Sequence, residues 1–274
     1  MLAAAGCSLL IDAGSLSGAG PTDGSVPNDG GPPPSEGSTP PDRDSGDSGS
    51  AGCAGDAGPV MIRVGNDAGV SFCIDSTEVT VRQYQAFVDA KNGDMRGQIA
   101  ECAPNTTYAL HDPNDASVNL ARGDAVHYVN WCDAFAYCRW ANKRLCGSIG
   151  GGPASADPAD LNGQWMFACS RGGALAYPYG QAFDASACNS GGGTISGPES
   201  KATCQGGFPG LFDMSGNVEE WEDNCDPASR NCHVRGGSAF DTDDNNHPFA
   251  CGTSLDDDRF NNDFDVGFRC CSDP

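Results

Sequence analysis

The chain has 274 residues, enough for one large domain or two small ones, with hydrophobic residues at 38% and aromatics at only 8%. Its formal net charge of −22 excludes an electrostatic hold on nucleic acid or on anionic membranes, since both need basic patches. Gly (38) and Pro (18) are abundant, so a loop-rich body plus a disordered segment is expected.

Fifteen cysteines are the strongest compositional fact. No C-x-x-C pair is present, and His111, His127, His233 and His247 show no zinc-type spacing. Disulfides formed in an oxidising compartment are therefore expected, which makes this an exported protein.

No apolar run is long enough to span a membrane as a helix. The opening Met1–Cys7 ends in small residues running into Gly6-Cys7, similar to the cleavage box of bacterial lipoproteins. A basic leader and a full apolar stretch are missing, so the expected true start lies upstream of Met1. Residues 1–12 read as signal remnant and lipid anchor through Cys7, and 13–52 as a Gly/Ser/Pro/Asp linker too poor in apolar residues to fold. Such a tether would hold the remaining 53–274 off a bacterial envelope membrane, on the periplasmic or surface side. Lipidation would also leave fourteen cysteines, an even number.

Val60–Val64 and Val70–Ile74 flank a Gly/Asn/Asp turn and read as a hairpin. Thr80 with Gln83 makes a capping box ahead of Tyr84, Phe87 and Val88, which fall at helical spacing. Residues 93–125 read as loop. A second helix is expected over Trp131–Ala141, capped by Asn130 with Asp133 at its third position and ended by a left-handed Asn142. His127 just before it reads as structural. The spacing suggests local bridges Cys53–Cys73, Cys188–Cys204 and Cys225–Cys232.

The stretch Gly210-Leu211-Phe212-Asp213-Met214-Ser215-Gly216-Asn217-Val218-Glu219-Glu220-Trp221 packs glycines, oxygen donors and apolar residues into one bend. Gly216 suits a positive φ or a close chain approach. Asp213 and Glu220, with carbonyls between them, form the short bent set of oxygens that calcium prefers; the plain alternative is a solvated acidic turn.

This stretch resembles the signature of the formylglycine-generating enzyme (sulfatase-modifying factor) family, G-L-[YF]-[DN]-M-x-G-N-V-x-E-W. Further blocks resembling the family run in order: Ile74-Asp75 to Phe87, Val129 to Leu145, Gln164 to Gly173 with Tyr177-Pro178-Tyr179-Gly180, Val234 to Ser238, and Val266 to Cys270. The resemblance implies an irregular α+β, C-type lectin-like fold with few short strands, two or three helices, and disulfides and calcium as staples. It implies the bridges Cys138–Cys270 and Cys169–Cys251, and a structural calcium held by Asp213, the carbonyls of Gly216 and Val218, and Glu220. Cys102, Cys132, Cys146 and Cys271 stay unassigned. Asn189 matches the first ligand of a second calcium site, whose later Asp-Gly-Phe segment is missing.

The family's two catalytic cysteines fall, by this resemblance, at Asp241 and Asn246. Neither residue binds Cu(I) as a soft thiolate does, so copper is not expected. The expected function is a monomeric, envelope-anchored binding module for an unidentified envelope or extracellular ligand, without oxidase chemistry and with no membrane contact beyond the lipid. The alternatives are a copper-dependent formylglycine-generating oxidase acting on a cysteine of sulfatases, and a metal-assisted enzyme using Asp241–Asp244 with His247.

Overall fold

The computed structural model describes residues 52–53, 55–111, 123–242 and 248–274. The expected anchor with Cys7, and all of the linker but Gly52, lie outside these residues, as do Asn246 and His247.

The chain opens on a hairpin, β1 (Met61–Gly65) and β2 (Ser71–Asp75), paired antiparallel with Arg63 opposite Cys73. Asn66 closes its turn by accepting from the amides of Ala68 and Val70, both at 3.1 Å. Helix α1 (Val81–Lys91) starts on the full Thr80/Gln83 capping box and stops at Asn92, whose φ of 46° is left-handed. The following loop carries one 3-10 turn, Ala100–Cys102.

Helix α2 (Trp131–Trp140) repeats the device with Asn130 and Asp133, and Asn142 follows it at φ 57°. Then come β3 (Arg144–Leu145) and α3 (Gln164–Ser170), a short helix ended by Arg171 at φ 53°. The remaining strands are β4 (Glu219–Cys225), β5 (Asn231–Arg235), β6 (Leu255–Asp258), β7 (Val266–Gly267) and β8 (Cys270–Ser272).

Two four-stranded sheets result, ordered β1-β2-β8-β3 and β6-β5-β4-β7, with β4 and β7 parallel and the other pairs antiparallel. Three helices beside eight short strands make the described residues an α+β body. One apolar core packs Tyr84, Phe87, Tyr137, Trp221 and Phe268 between α1, α2 and the second sheet. Another gathers Phe72, Ile74, Trp165, Leu211 and Met214 around α3 and the hairpin. Burying each of the bulkier aliphatic or Phe side chains contributes about 1.5–3 kcal/mol.

Strand β8 belongs to both cores. Cys270 bridges to Cys138 in the first, and Cys271, on the opposite face, bridges to Cys146 in the second. No helix among the described residues is long and apolar enough to cross a membrane.

Candidate functional site

Four residues between Gly210 and Asn217 adopt left-handed φ: Gly210 (80°), Asp213 (55°), Gly216 (77°) and Asn217 (66°). They coil the segment tightly enough that a Cβ on Gly216 would stand 2.4 Å from the Asn189 carbonyl oxygen, so only glycine fits there. Asn217 ties the coil to its surroundings. Its Nδ2 donates to Glu78 Oε1 at 3.0 Å, and its Oδ1 accepts from the Ser196 amide and from Asn189 Nδ2, both at 3.0 Å.

The coil runs directly into β4, whose alternation sends successive side chains opposite ways. Glu220 points inward, 1% exposed, onto Arg269 and Trp165. Arg269 grips it with two parallel bonds, Nε to Oε2 and Nη2 to Oε1, each 2.7 Å, while Trp165 Nε1 donates to Oε2 at 2.9 Å. The same guanidinium donates to the carbonyls of Asp75, Phe212 and Asp213 at 3.0–3.2 Å.

Two further carboxyls surround this hub. Asp213 Oδ2 accepts from the Glu199 amide at 2.7 Å, and burial pushes its pKa up to about 6 against that bond and Arg269. Glu78 is fully buried, and its Oε2 has no hydrogen-bond partner. Burial first, then the Asp213 carboxylate, pushes its pKa well above the usual range. Three carboxyls thus face one guanidinium, leaving two surplus negative charges when all are ionised, and a proton on Glu78 removes one of them.

The carboxylates expected to hold calcium are already engaged: Arg269 and Trp165 donate to the Glu220 carboxylate, and the Glu199 amide donates to Asp213 Oδ2. Arg269 already holds both oxygens of Glu220, so a cation would share this carboxylate. Among the described residues no three His, Cys, Asp or Glu side chains gather closely enough to hold a metal by themselves. Asn189 spends its amide nitrogen on Thr194, Ser196 and Asn217.

A second acidic group lies on the other side of β4. Asp241 Oδ2 accepts from the Ser238 amide (2.8 Å) and faces its hydroxyl (3.1 Å), which is also 2.7 Å from Asp265 Oδ2. One hydroxyl proton cannot serve both carboxylates. Glu219 belongs to the same group, and burial with the negative field of Asp265 and Asp241 raises its pKa to about 9. Asp265 rises to about 6, again chiefly by burial. Beside them Phe240 and Phe264 meet edge to face at 4.9 Å, each 44% exposed.

Seven disulfides use every cysteine among the described residues. They are Cys53–Cys73, Cys102–Cys132, Cys138–Cys270, Cys146–Cys271, Cys169–Cys251, Cys188–Cys204 and Cys225–Cys232. The four cysteines that sequence left unassigned thus pair as Cys102–Cys132 and Cys146–Cys271. His127 is buried against the Ala125 carbonyl, its Nδ1 2.9 Å away.

The sulfatase-modifying factor enzyme 1-like domain family matches residues 66–274. The chain belongs to this family. Among curated proteins, Inactive C-alpha-formylglycine-generating enzyme 2 of Mus musculus is 32% identical over 164 residues, covering 54% of this chain and 48% of that protein. Its Bos taurus counterpart is also 32% identical over 164 residues, covering 54% of this chain and 50% of its own. The chain therefore spans about half the length of the curated relatives it matches. Among solved structures, PvdO from Pseudomonas aeruginosa superposes with TM-score 0.52 at 17% identity, over 80% of this chain and 92% of that one. CarF gives TM-score 0.50 at 21% identity over 80% and 96%. These likenesses establish the irregular, C-type lectin-like α+β fold of the family.

Sequence reasoning missed Arg269 and Trp165 as partners of Glu220, and Glu78 as the carboxyl beside them, although each stands inside one of the family-like blocks. A lone arginine between Phe268 and Cys270, in an apolar strand end, was the available signal: a buried charge needs a buried counter-charge. The same reasoning grouped Asp241 with its chain neighbours through Asp244 and with His247, and not with Glu219 or Asp265, which come from other parts of the chain.

Proposed function

We propose that this protein is a non-oxidase member of the family that serves as an exported, envelope-anchored binding module. The observation that carries the reading is the complete use of the described cysteines in disulfides, together with Asp241 hydrogen-bonded to Ser238 where the family resemblance puts a redox cysteine. A disulfide sulfur presents no thiolate, so no cysteine among the described residues is free to bind Cu(I), and the position the resemblance gives to a redox cysteine holds a carboxylate instead. The curated relatives carry the word inactive in their names, which agrees with this reading.

The binding face we assign is the exposed Phe240–Phe264 pair with its rim of Asp241, Asp263 and Asp265. Two accessible aromatic rings beside acidic groups suit a partner segment bearing apolar and cationic side chains. A calcium ion held by Asp213, Glu220 and the carbonyls of Gly216 and Val218 would stiffen the coil behind that face and offset its surplus charge.

Two measurements test the proposal on the oxidised full chain. Thiol titration under denaturing, non-reducing conditions, followed by an assay with a cysteine-bearing sulfatase-motif peptide and copper, should find no thiol among Cys53–Cys271 and no turnover. Turnover would overturn the reading. For calcium, Glu220→Gln should remove most of the rise in melting temperature that added calcium gives the parent protein; a parent protein indifferent to calcium refutes the ion's role.

A further inference from the structure

A cavity of about 250 Å³ opens between the end of α1, the loop through Ala100–Cys102 and the outer face of α2. It is distinct in lining from both groups of carboxyls described above. In a chain with 15 basic residues against 37 acidic ones, three bases line this one cavity: Lys91, Arg96 and Arg139. Arg96 is offset by Asp94, which it grips through Nε and Nη2. Lys91 and Arg139 make no ion pair among the described residues, and aromatic faces hold them instead. Lys91 Nζ lies 5.8 Å from the Tyr108 ring centre, and the Arg139 guanidinium 5.8 Å from that of Phe135.

The rest of the lining is apolar and flat-faced. Phe135, Tyr108 and Trp140 contribute rings, and Ala136 and the Cys102–Cys132 bridge contribute smaller surfaces. Gln98, also in the wall, donates through Nε2 to the Asn105 carbonyl at 3.0 Å.

We propose that this cavity binds a small aromatic acid: one ring and one anionic group. The anion pairs with Lys91 and Arg139, and the ring lies against Trp140 and Phe135. The volume is slightly below that of drug-sized pockets, which limits the ligand to about one substituted ring.

The test is calorimetric titration of the oxidised full chain with benzoate. Saturable binding is expected, weakened about tenfold by Arg139→Gln and by Lys91→Gln, as loss of a charged hydrogen-bond partner dictates. Unfolding curves of both variants should match the parent, since both side chains lie at the cavity edge. The neutral benzyl alcohol should bind much more weakly. Absence of saturation at millimolar ligand, or an affinity in either variant equal to the parent's, overturns the proposal. Equal competition by inorganic phosphate would show a bare anion site and refute the recognition of a ring.

Discussion

Replacing Arg269 by Met should be among the most damaging single changes in the folded body. Arg269 is fully buried and makes five hydrogen bonds: two to Glu220 and three to the carbonyls of Asp75, Phe212 and Asp213. Methionine fills much of the same volume but strands the Glu220 carboxylate with Trp165 Nε1 as its remaining donor and with Glu78 and Asp213 close by. Removing one partner of a buried ion pair typically costs about 3–5 kcal/mol. At about 2–4 °C per kcal/mol for a domain of this size, that is a fall of roughly 6–20 °C in melting temperature. The assay is urea unfolding without reductant, in chelator, followed by tryptophan fluorescence. Adding Glu220→Gln to Arg269→Met should recover part of the loss, because the amide is neutral and no charge is left stranded. A single-variant cost below about 1 kcal/mol, or a double variant no better than the single, would refute the hub.

Three further expectations follow from buried groups elsewhere. Burial raises the Asp133 pKa to about 7, so the folded state holds a proton there that the unfolded chain gives up near its ordinary value of 3.8. Its contribution is therefore favourable at low pH and is lost as pH rises from about 4 to 7. Asp133→Asn should make the protein relatively more stable at pH 8 than at pH 4.5, and a pH-independent difference in unfolding free energy would contradict this. The Tyr137 hydroxyl is buried with no partner, so Tyr137→Phe should raise stability by about 1 kcal/mol; a loss in the urea midpoint would show that the hydroxyl is satisfied. Gly216→Ala sets a Cβ against the Asn189 carbonyl at φ 77° and should cost more than about 2 kcal/mol, read as a drop in melting temperature. An alanine variant as stable as the parent would mean the coil can open at no cost.

The parts of the structure legible in sequence are those whose causes lie close together along the chain. Thr80 with Gln83 and Asn130 with Asp133 are three residues apart, and both form complete capping boxes. Asn66 closes the first hairpin by the same short-range logic. The left-handed Asn142 follows from the end of a helix and needs nothing distant. What stayed hidden depends on which strands become neighbours. Cys102–Cys132 and Cys146–Cys271 join residues 30 and 125 apart, and composition cannot choose among such pairings. Arg269 reaches Glu220 across 49 residues; Glu219 and Asp265 are brought together by the parallel pairing of β4 and β7, and Asp241 joins them through Ser238. The cavity at Lys91 and Arg139 is likewise assembled from two helices and a loop.

Strand β8 carries a consequence for how this protein reaches its native state. Cys270 and Cys271 are consecutive, so they face opposite sides of the sheet and close bridges in opposite cores. Exchanging the two partners, Cys138 with Cys271 and Cys146 with Cys270, would require β8 to turn over, which is the same as sliding it by one residue against β2 and β3. A pairing isomer is therefore also a register isomer. Once both bonds have formed, the oxidised chain stores the alignment of its own strand covalently, and correcting an error demands thiol–disulfide reshuffling rather than simple unfolding.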